Sequence, residues 1–464
     1  APMKAEYEAA HRDQNQPVAL LRDGVAVQSG YAAGVDVSGA LLLREVDRTL
    51  RLTERVAACF EDGRDPELIE HTVHTLVMQR IVGIALGYED LNDHDQLRRD
   101  PVLATLAGKL SARRKGCEPL AGKSTLNRLE HAPDTKDGSR YHKIAHDPAA
   151  FESLFVACFI EAHEQAPDEI ILDLDATDDP LHGQQEGRFF HGYYGGYCYL
   201  PLYIFCGRHL LAAKLRRANT DASAGSIDEL ERIVTQIRRH WPEVRIVLRA
   251  DSGFARDALM SWCEQTHIDF VFGLAKNDRL KAQIETEMSE AQAECTQTGK
   301  PARRFRDFTY RTLDSWSCAR RVVGKAEQLP GKANPRFIVT SLDAQRWPAR
   351  ELYEALYCAR GEMENRIKEC QLHLFADRTS TATMRANQLR LWFASFAYVM
   401  LEALRRIGLA GTELAEATCE SLRLKLLKIG ARVKISVRRI HVSMASSHPF
   451  QTTWRLAQAR LAPG

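Results

Sequence analysis

The chain has 464 residues, with 63 Lys or Arg against 61 Asp or Glu and a formal net charge of +2. This length is sufficient for two or three domains with a full α/β core. The sequence has no uninterrupted apolar stretch of membrane-spanning length and no charged-then-apolar signal pattern at its beginning, so it predicts neither membrane insertion nor export, and we expect a cytoplasmic protein.

The 11 cysteines form no C-x-x-C pair. Most of them lie within apolar runs of the sequence. This distribution predicts buried free thiols and argues against zinc sites and disulfides.

The first 150 residues divide into a lead-in and a helical region. Residues 1–35 are rich in Gly and Ala with little periodicity, so we expect a flexible or extended segment. Residues 36–150 are interpreted as a helical domain for DNA binding or dimerisation, because apolar residues recur at helical spacing over 41–60, 66–86 and 95–110. The segment 124–130 predicts a capped helix, either the second helix of a helix-turn-helix or part of an ordinary helical hairpin.

Strands alternate with helices from about residue 150 onward, and we assign residues 151–410 to one α/β catalytic domain. The predicted strands are 169–175, 197–206, 209–216, 244–251 and 268–273, and the predicted helices are 226–240 and 256–265. Three strands in a meander followed by helix, strand, helix and strand are typical of a ribonuclease-H-like core.

Two further regions complete the chain. Residues 276–340 are expected to form a β-rich insertion, with a charged helix over 278–294, short strands after it and one more strand over 335–340. Residues 411–464 form a basic C-terminal region that suits phosphate contacts. Its last 44 residues carry nine Lys or Arg and no Asp or Glu, which is compatible with a solvated tail or with a folded basic strand.

Carboxylates stand at the ends of two predicted strands. Asp175 ends the first strand and Asp251 the fourth. In open α/β sheets ligands bind beyond the carboxyl ends of the strands, so both side chains are candidates for one site. Asp173 competes with Asp175, because residues two apart on a strand share a face. The alternative interpretation of a strand-end aspartate is a helix cap or turn residue.

A third carboxylate lies on a predicted helix over residues 357–370. Tyr357, Arg360, Glu364 and Lys368 fall within an arc of roughly 80° on that helix. An apolar stripe beside this face indicates that the helix packs on a core; it comprises Leu352, Leu356, Met363, Ile367 and Leu374. A solvated face with intrahelical ion pairs is the alternative interpretation.

Three converging carboxylates repel one another, and a divalent cation is the usual remedy. Ligand sets made of oxygen alone favour Mg²⁺, with Mn²⁺ as a possible substitute. Two such ions can activate an attacking oxygen and stabilise a leaving oxygen during phosphoryl displacement. This chemistry indicates a nucleic acid as the partner.

Five segments of the chain resemble one family, the insertion-sequence DDE transposases, in particular the group 1 branch that is related to piggyBac-type transposases. The three catalytic blocks are LDLDATDDPLHGQQEG (172–187), RADSGF (249–254) and YCARGEMENRIKE (357–369). The N-terminal matches are LGYEDLNDHDQLRRDP (86–101) and LAGKSTLNRLE (120–130). The resemblance covers nearly the whole chain.

The resemblance implies a catalytic triad of Asp175, Asp251 and Glu364 that binds two magnesium ions in a ribonuclease-H-like fold. Tyr357 and Arg360 are then expected to contact DNA near the scissile phosphate. Related enzymes often carry a lysine seven residues after the glutamate, where this chain has Gln371. Lys368, one turn after Glu364, is therefore the candidate substitute.

Further DNA contacts are expected in the insertion, which stands where related transposases carry a β-rich subdomain, and at the basic end, because of its charge. Those in and around the insertion and at the basic end are Lys276, Asn277, Arg303, Arg304, Arg320, Arg321, Arg438 and Arg439. Trp316 is interpreted either as a residue that stacks on an unpaired base or as a core residue of the insertion.

The implied function is a bacterial transposase, associated with the nucleoid. It would bind the terminal inverted repeats of its element as a homodimer on paired ends of double-stranded DNA, cleave those ends and join the 3′ ends to target DNA. Two alternatives remain open, a ribonuclease-H-like nuclease without strand transfer and a catalytically silent DNA-binding regulator.

Overall fold

The computed structural model describes residues 18–21, 32–35, 37–134, 143–436 and 439–462. These residues form two compact units. The helical unit draws on the chain up to Leu154, on residues 183–186 and on the chain from Lys368 onward, and the sheet unit comprises residues 155–182 and 187–367. Within the described ranges, no helix combines the length and the apolar content that crossing a membrane requires.

The helical unit contains more and shorter helices than the periodicity predicts. Its α-helices are Leu41–Leu50, Leu52–Ala57, Val73–Ala85, His94–Leu97, Pro101–Leu106, Lys123–Glu130, Met384–Ala403, Cys419–Leu422 and Gln451–Leu461, together with the first half of Pro148–Glu161. The first expected helix breaks at Arg51, which adopts a left-handed conformation with φ of 50°. The third breaks before Pro101, where Asp100 accepts hydrogen bonds from the amides of Val102 and Leu103 and starts a new helix.

Aromatic packing joins the N-terminal and C-terminal parts of the helical unit. The ring of Phe151 stacks on that of Trp392 at a centroid distance of 4.8 Å, and Phe60 stacks on Phe393 at 6.3 Å. Trp392 and Phe393 belong to the helix Met384–Ala403, which is buried on nearly every side. Such a helix is the central element of its unit.

The basic C-terminal region forms a β-hairpin within a four-stranded antiparallel sheet. The strand order is Val18–Leu21, Arg439–Met444, Ala431–Ile435 and Ala32–Val35. The expectation of a folded basic strand is confirmed over Ala431–Ile435, where Arg432 and Lys434 are exposed while Val433 and Ile435 are buried. The expected lead-in, residues 1–35, lies outside the described residues apart from its two strands.

A buried polar cluster in the helical unit fixes the protonation of His94. The side-chain amide of Gln79 donates to the carbonyl of Ala121 at 2.7 Å and accepts from the amide of Ala121 at 3.0 Å. These two bonds determine the orientation of the amide, so its Nε2, 3.0 Å from Nδ1 of His94, can only donate to that nitrogen. His94 is fully buried, and burial, with Arg80 adding to it against Glu130, Asp95 and Asp90, lowers its pKa to about 3.

The lowered pKa of His94 predicts that acid destabilises the helical unit. Its pKa is lower in the folded chain than in the unfolded chain, so its contribution to stability is present above about pH 6.5 and is lost as the pH falls. Urea unfolding at about pH 7 and about pH 5 tests this. The free energy of unfolding is expected to fall between these two pH values by roughly 2 kcal/mol more in wild type than in His94→Asn. Equal losses in both proteins would contradict the assignment.

The sheet unit is built on one mixed sheet whose main strands are labelled in chain order. They are β1 (Glu169–Ala176), β2 (Leu202–Cys206), β3 (His209–Lys214), β4 (Arg245–Ala250), β5 (Asp269–Leu274), β6 (Ala302–Tyr310), β7 (Arg320–Leu329) and β8 (Arg336–Thr340). The order is β3-β2-β1-β4-β5-β8-β7-β6, with the short strand Lys332–Ala333 beside β7. Strands β1, β4 and β5 are parallel, and the other neighbours are antiparallel.

The structure corrects three of the expected elements. The expected strand 197–206 is two strands, Gly196–Tyr199 and Leu202–Cys206, because Pro201 lacks the amide that would continue the ladder. The expected charged helix breaks at the buried Ile284 into Asp278–Gln283 and Glu285–Thr298. The strands after it are long, since β6 has nine residues and β7 has ten, and they pair into the main sheet through β8.

Both faces of the central strands are covered. Ile246 and Leu248 of β4 belong to one apolar cluster, which includes the helices Ser226–His240 and Asp257–Gln265, while Val247 belongs to a cluster on the other face. The second cluster contains Leu352 and Leu356, from the segment that leads to Glu364. The expected apolar stripe therefore anchors this segment on the sheet.

Candidate active site

The ends of two parallel strands bring the two aspartates side by side. Strands β1 and β4 pair in parallel, and the last pair of the register joins Leu174 to Ala250. Asp175 is the next residue of β1 and Asp251 directly follows β4, so both lie at the carboxyl edge of the sheet. Oδ1 of Asp251 also accepts a hydrogen bond from the amide of Gly253 at 2.8 Å, so this aspartate caps the following turn as well.

Glu364 is carried by an irregular helical segment. The segment consists of α-helix Ala349–Glu351, π-helix Leu352–Tyr357, 3-10 helix Cys358–Arg360, α-helix Gly361–Lys368 and π-helix Glu369–His373. The uniform helical spacing expected between Tyr357 and Lys368 is therefore not present, because one 3-10 turn separates Tyr357 from the α-helix. Departures of this kind often occur at functional sites.

Arg360 lies between the first and third carboxylates. Its Nη2 donates to Oε1 of Glu364 at 2.8 Å, and its Nη1 is 3.8 Å from Oδ1 of Asp175. The side chain of Arg360 is 18% exposed and that of Asp175 is 17% exposed, whereas Glu364 is half-exposed. The pattern that predicted a carboxylate flanked by cations thus produces a direct contact between Arg360 and Glu364.

The electrostatics of the site link all three carboxylates. Burial raises the pKa of Asp175 to about 6, and Asp251 and Glu364 add to this rise against the opposing effect of Arg360. Burial opposes the charge of Arg360, but Asp175, Glu364 and Asp251 nevertheless raise its pKa. Three acidic side chains and one guanidinium therefore act on one another at this edge of the sheet.

Asp173 and Arg249 form a buried ion pair one step inside this edge. Nε and Nη2 of Arg249 donate to the two carboxylate oxygens of Asp173 at 2.5 and 2.8 Å. Nη1 of Arg249 donates to the carbonyl of Leu356 at 2.6 Å, so the pair connects the sheet to the segment that carries Glu364. Sequence reasoning treated Asp173 only as a competitor of Asp175 and did not single out Arg249, although a charged residue in a strand buried on both faces was a usable signal.

Tyr357 packs against the end of β5. A Cβ atom on Gly273 would lie 2.6 Å from the hydroxyl oxygen of Tyr357 and 2.9 Å from the amide of Ser252, so only glycine permits this approach. Burial raises the pKa of Tyr357, and Asp251 adds to that rise while Arg360 opposes it. Tyr357 is therefore held beside the second aspartate.

The structure locates Lys368 at the end of the helix Gly361–Lys368, where its side chain is exposed. Gln371 lies in the π-helical turn that follows. An exposed lysine is compatible with contact to a polyanion, and the role of Lys368 stays a prediction.

Lys276 and Asn277 follow β5 and are exposed. The side chain of Asn277 accepts from the amide of Leu280 at 2.9 Å and so caps the helix Asp278–Gln283; it also donates to the hydroxyl of Tyr310 at 3.3 Å. Asn277 thus has a structural function of its own, and Lys276 is the more available of the two for a phosphate.

Two of the expected arginines on β6 are half-exposed and paired with carboxylates. Arg303 contacts Glu354 at 2.9 Å and Glu327 at 3.1 Å. Arg304 contacts a glutamate of the helix Glu285–Thr298, Glu294, at 2.6 Å. Contact with DNA would have to compete with these ion pairs.

Trp316, Arg320 and Arg321 have partners within the sheet unit that remove them from solvent. Trp316 is 4% exposed and packs edge-on against Tyr310 at 5.8 Å, which agrees with its interpretation as a core residue. The partners of the two arginines are carboxylates and carbonyls, namely Asp257 and Glu264 for Arg320, and Asp307 and the carbonyls of Leu342 and Trp347 for Arg321. Trp316 and Arg320 are too deeply buried to reach DNA in this conformation.

Of the two arginines expected to contact DNA at the basic end, the structure describes one. Arg439 is exposed at the start of the strand Arg439–Met444. Arg438 lies outside the described residues.

The donor set of the site suits a hard divalent cation. Asp175, Asp251 and Glu364 offer oxygen atoms alone, and Arg360 is the cation that offsets their charge in this structure. In the ranges that the structure describes, no group of three or more His, Cys, Asp or Glu side chains is assembled as a ready-made metal site. The three carboxylates therefore influence one another electrostatically but do not form a preassembled metal site.

The comparisons with known proteins point to one family. The family model described as Transposase DDE domain group 1 matches residues 12–463. No curated protein matches the chain.

Proposed function

Because this chain belongs to the DDE transposase family, we propose that it cleaves the ends of its mobile element and joins the 3′ ends to target DNA, with Asp175, Asp251 and Glu364 as the catalytic carboxylates. The observation that carries the proposal is their position. Two of them end adjacent parallel strands, and the third is joined to the first through Arg360.

The order of the strands supports a ribonuclease-H-like core. In β3-β2-β1-β4-β5 a three-stranded antiparallel meander is followed by two strands parallel to the first. This order places the ends of β1 and β4 at the centre of one edge, where the aspartates lie. Strands β6 to β8 extend the same sheet beyond β5.

Asp175, Asp251 and Glu364 would hold Mg²⁺, with Mn²⁺ as a substitute. Bound metal supplies charge neutralisation and activation of an attacking oxygen at the phosphate. The side chains of the chain itself have separate tasks in this proposal. The carboxylates fix the ligand geometry, Arg360 orients Glu364 and offsets negative charge, and Tyr357 is held beside Asp251 where the DNA strand passes.

Binding of double-stranded DNA is proposed for exposed cations of both units. Lys276 belongs to the sheet unit, and Lys368 and Arg439 belong to the helical unit. Phosphate contacts of this type position the duplex without reading its sequence. A homodimer on paired ends, recognition of terminal inverted repeats and association with the nucleoid are part of the same proposal.

The proposal is tested with a plasmid that carries the two ends of the element, incubated with the full chain and a target plasmid. With Mg²⁺ we expect nicked or excised ends and covalently joined donor–target products, and we expect neither in EDTA. Cleavage without joined products would favour a nuclease. A complete lack of cleavage at any Mg²⁺ concentration, with DNA binding retained, would favour a silent regulator.

A further inference from the structure

The exposed aromatic side chains of the sheet unit are concentrated in one β-hairpin. Among the residues that the structure describes, ten large apolar side chains are exposed; five of these are leucines, and the five aromatic ones all lie between Phe189 and Tyr197. We call residues 188–199 the aromatic hairpin. Its strands pair Phe189 with Cys198 and Phe190 with Tyr197, and the turn between them carries Tyr193, which is 86% exposed.

The rings of the aromatic hairpin contact one another and a cation. The guanidinium of Arg188 lies 4.6 Å from the centre of the Tyr197 ring, and Phe190 meets the same ring at 5.7 Å and 78°. Tyr193 and Tyr194 meet edge to face at 5.0 Å. Exposed rings combined with a cation are typical of surfaces that bind single-stranded nucleic acid, since every base has a face that can stack on a ring.

The aromatic hairpin adjoins the candidate active site. Its second strand, Gly196–Tyr199, pairs with Asp179–Pro180, which begins four residues after Asp175. Burial raises the pKa of Tyr194 to about 12, and the charges of Asp178 and Asp175 add to this rise. Tyr194 is therefore within electrostatic reach of the first catalytic carboxylate.

Glycines flank the two tyrosines of the turn. Gly195 has φ of 68°, a conformation that side chains rarely adopt, and a Cβ atom on Gly192 or Gly195 would meet no atom within 4 Å. Tyr193 and Tyr194 lie between these two glycines. The left-handed turn that presents the two rings therefore favours glycine at position 195.

We propose that the aromatic hairpin stacks on an unpaired DNA base next to the phosphate that is cleaved, with Tyr193 and Tyr194 as the stacking residues. The inference rests on the proposed function, because it assigns the hairpin to the same DNA strand. A base drawn out of the duplex would be held by the tyrosines, and its backbone would be free to turn toward Asp175. The charge of Arg188 suits the adjoining phosphates.

Binding of two DNA probes by the full chain tests this inference. The first is a blunt duplex, and the second is the same duplex with a short single-stranded thymidine tail. We expect wild type to prefer the tailed duplex, and we expect the double variant Tyr193→Ala/Tyr194→Ala to lose affinity for it roughly tenfold to a hundredfold. Affinity for the blunt duplex is expected to stay unchanged.

Two matched variants separate stacking from other effects. Tyr193→Phe/Tyr194→Phe keeps both rings and should keep the preference, whereas Leu313→Ala removes another exposed apolar side chain of the sheet unit, 76% exposed, and should have no effect. A second readout is cleavage of element ends. The alanine variant should cut fully paired ends more slowly than wild type. Its cleavage rate should recover when the base next to the cleavage site is mismatched.

The outcomes distinguish this inference from the proposed function. If wild type cleaves the ends but the alanine variant keeps both the preference and the rate, the hairpin does not stack on DNA and the proposed function stands. If wild type neither binds DNA nor cleaves it, the proposed function is wrong, and the inference that rests on it is wrong as well. If the alanine variant instead changes the oligomeric state without DNA and leaves DNA binding unchanged, the hairpin is an interface between two copies of the chain.

Discussion

Replacing Asp175 by Asn is expected to lower the rate of magnesium-dependent end cleavage on the order of 10³-fold or more, because a lost ligand of catalytic metal ions removes several kcal/mol of transition-state stabilisation. The substitution should not destabilise the fold. The carboxylate of Asp175 is buried beside two other carboxylates, with its nearest cation at 3.8 Å. A neutral amide of the same size removes that repulsion, so the free energy of unfolding should stay the same or increase.

The matched control is Asp173→Asn, two residues earlier on the same strand. Both carboxylate oxygens of Asp173 accept hydrogen bonds from the buried guanidinium of Arg249. Removing its charge leaves the guanidinium without a counter-ion, which should lower the stability of the sheet unit by roughly 3 kcal/mol. Urea unfolding and single-turnover cleavage of both variants provide the test. The assignment of Asp175 fails if Asp175→Asn cleaves like wild type while Asp173→Asn is inactive and fully stable.

The sequence was sufficient to place the aspartates, because their position depends on local pattern. A buried strand with Asp at its carboxyl end, repeated on a second strand, predicts neighbouring aspartates when the two strands pair in parallel. The structure pairs β1 with β4 in that way. The helix with Glu364 was likewise indicated by its apolar stripe, of which Leu352 and Leu356 pack on the sheet.

The remaining features depend on tertiary contacts that the sequence does not display. The spacing of Arg320 predicts a surface cation as readily as a buried one, and only the fold brings Asp257 and Glu264 to it. The same holds for Arg249, whose partner Asp173 is 76 residues away in the sequence. The π-helical and 3-10 turns around Tyr357 are also invisible to a pattern that assumes a regular helix.

A buried ion cluster in the helical unit should produce a large effect on stability. Arg405, 1% exposed in its side chain, donates from Nη1 to Glu402 at 2.8 Å, from Nη2 to Glu369 and from Nε to the carbonyl of Ala417 at 2.8 Å. Glu369 also accepts from the amide of Cys419 at 2.8 Å. One guanidinium thus neutralises two buried carboxylates and connects three segments of the unit.

Replacing Arg405 by Met is expected to lower the free energy of unfolding by about 3–5 kcal/mol, because Glu369 and Glu402 would both lose the buried guanidinium that they contact. The next residue supplies the control, since Arg406 is exposed and Arg406→Met should change stability by no more than about 0.5 kcal/mol. The triple variant Arg405→Met/Glu369→Gln/Glu402→Gln also removes the two acidic charges and should recover much of the lost stability. Urea unfolding followed by circular dichroism measures all three. If the triple variant is no more stable than Arg405→Met, the loss arises from packing of the long side chain, and the buried charges are not its cause.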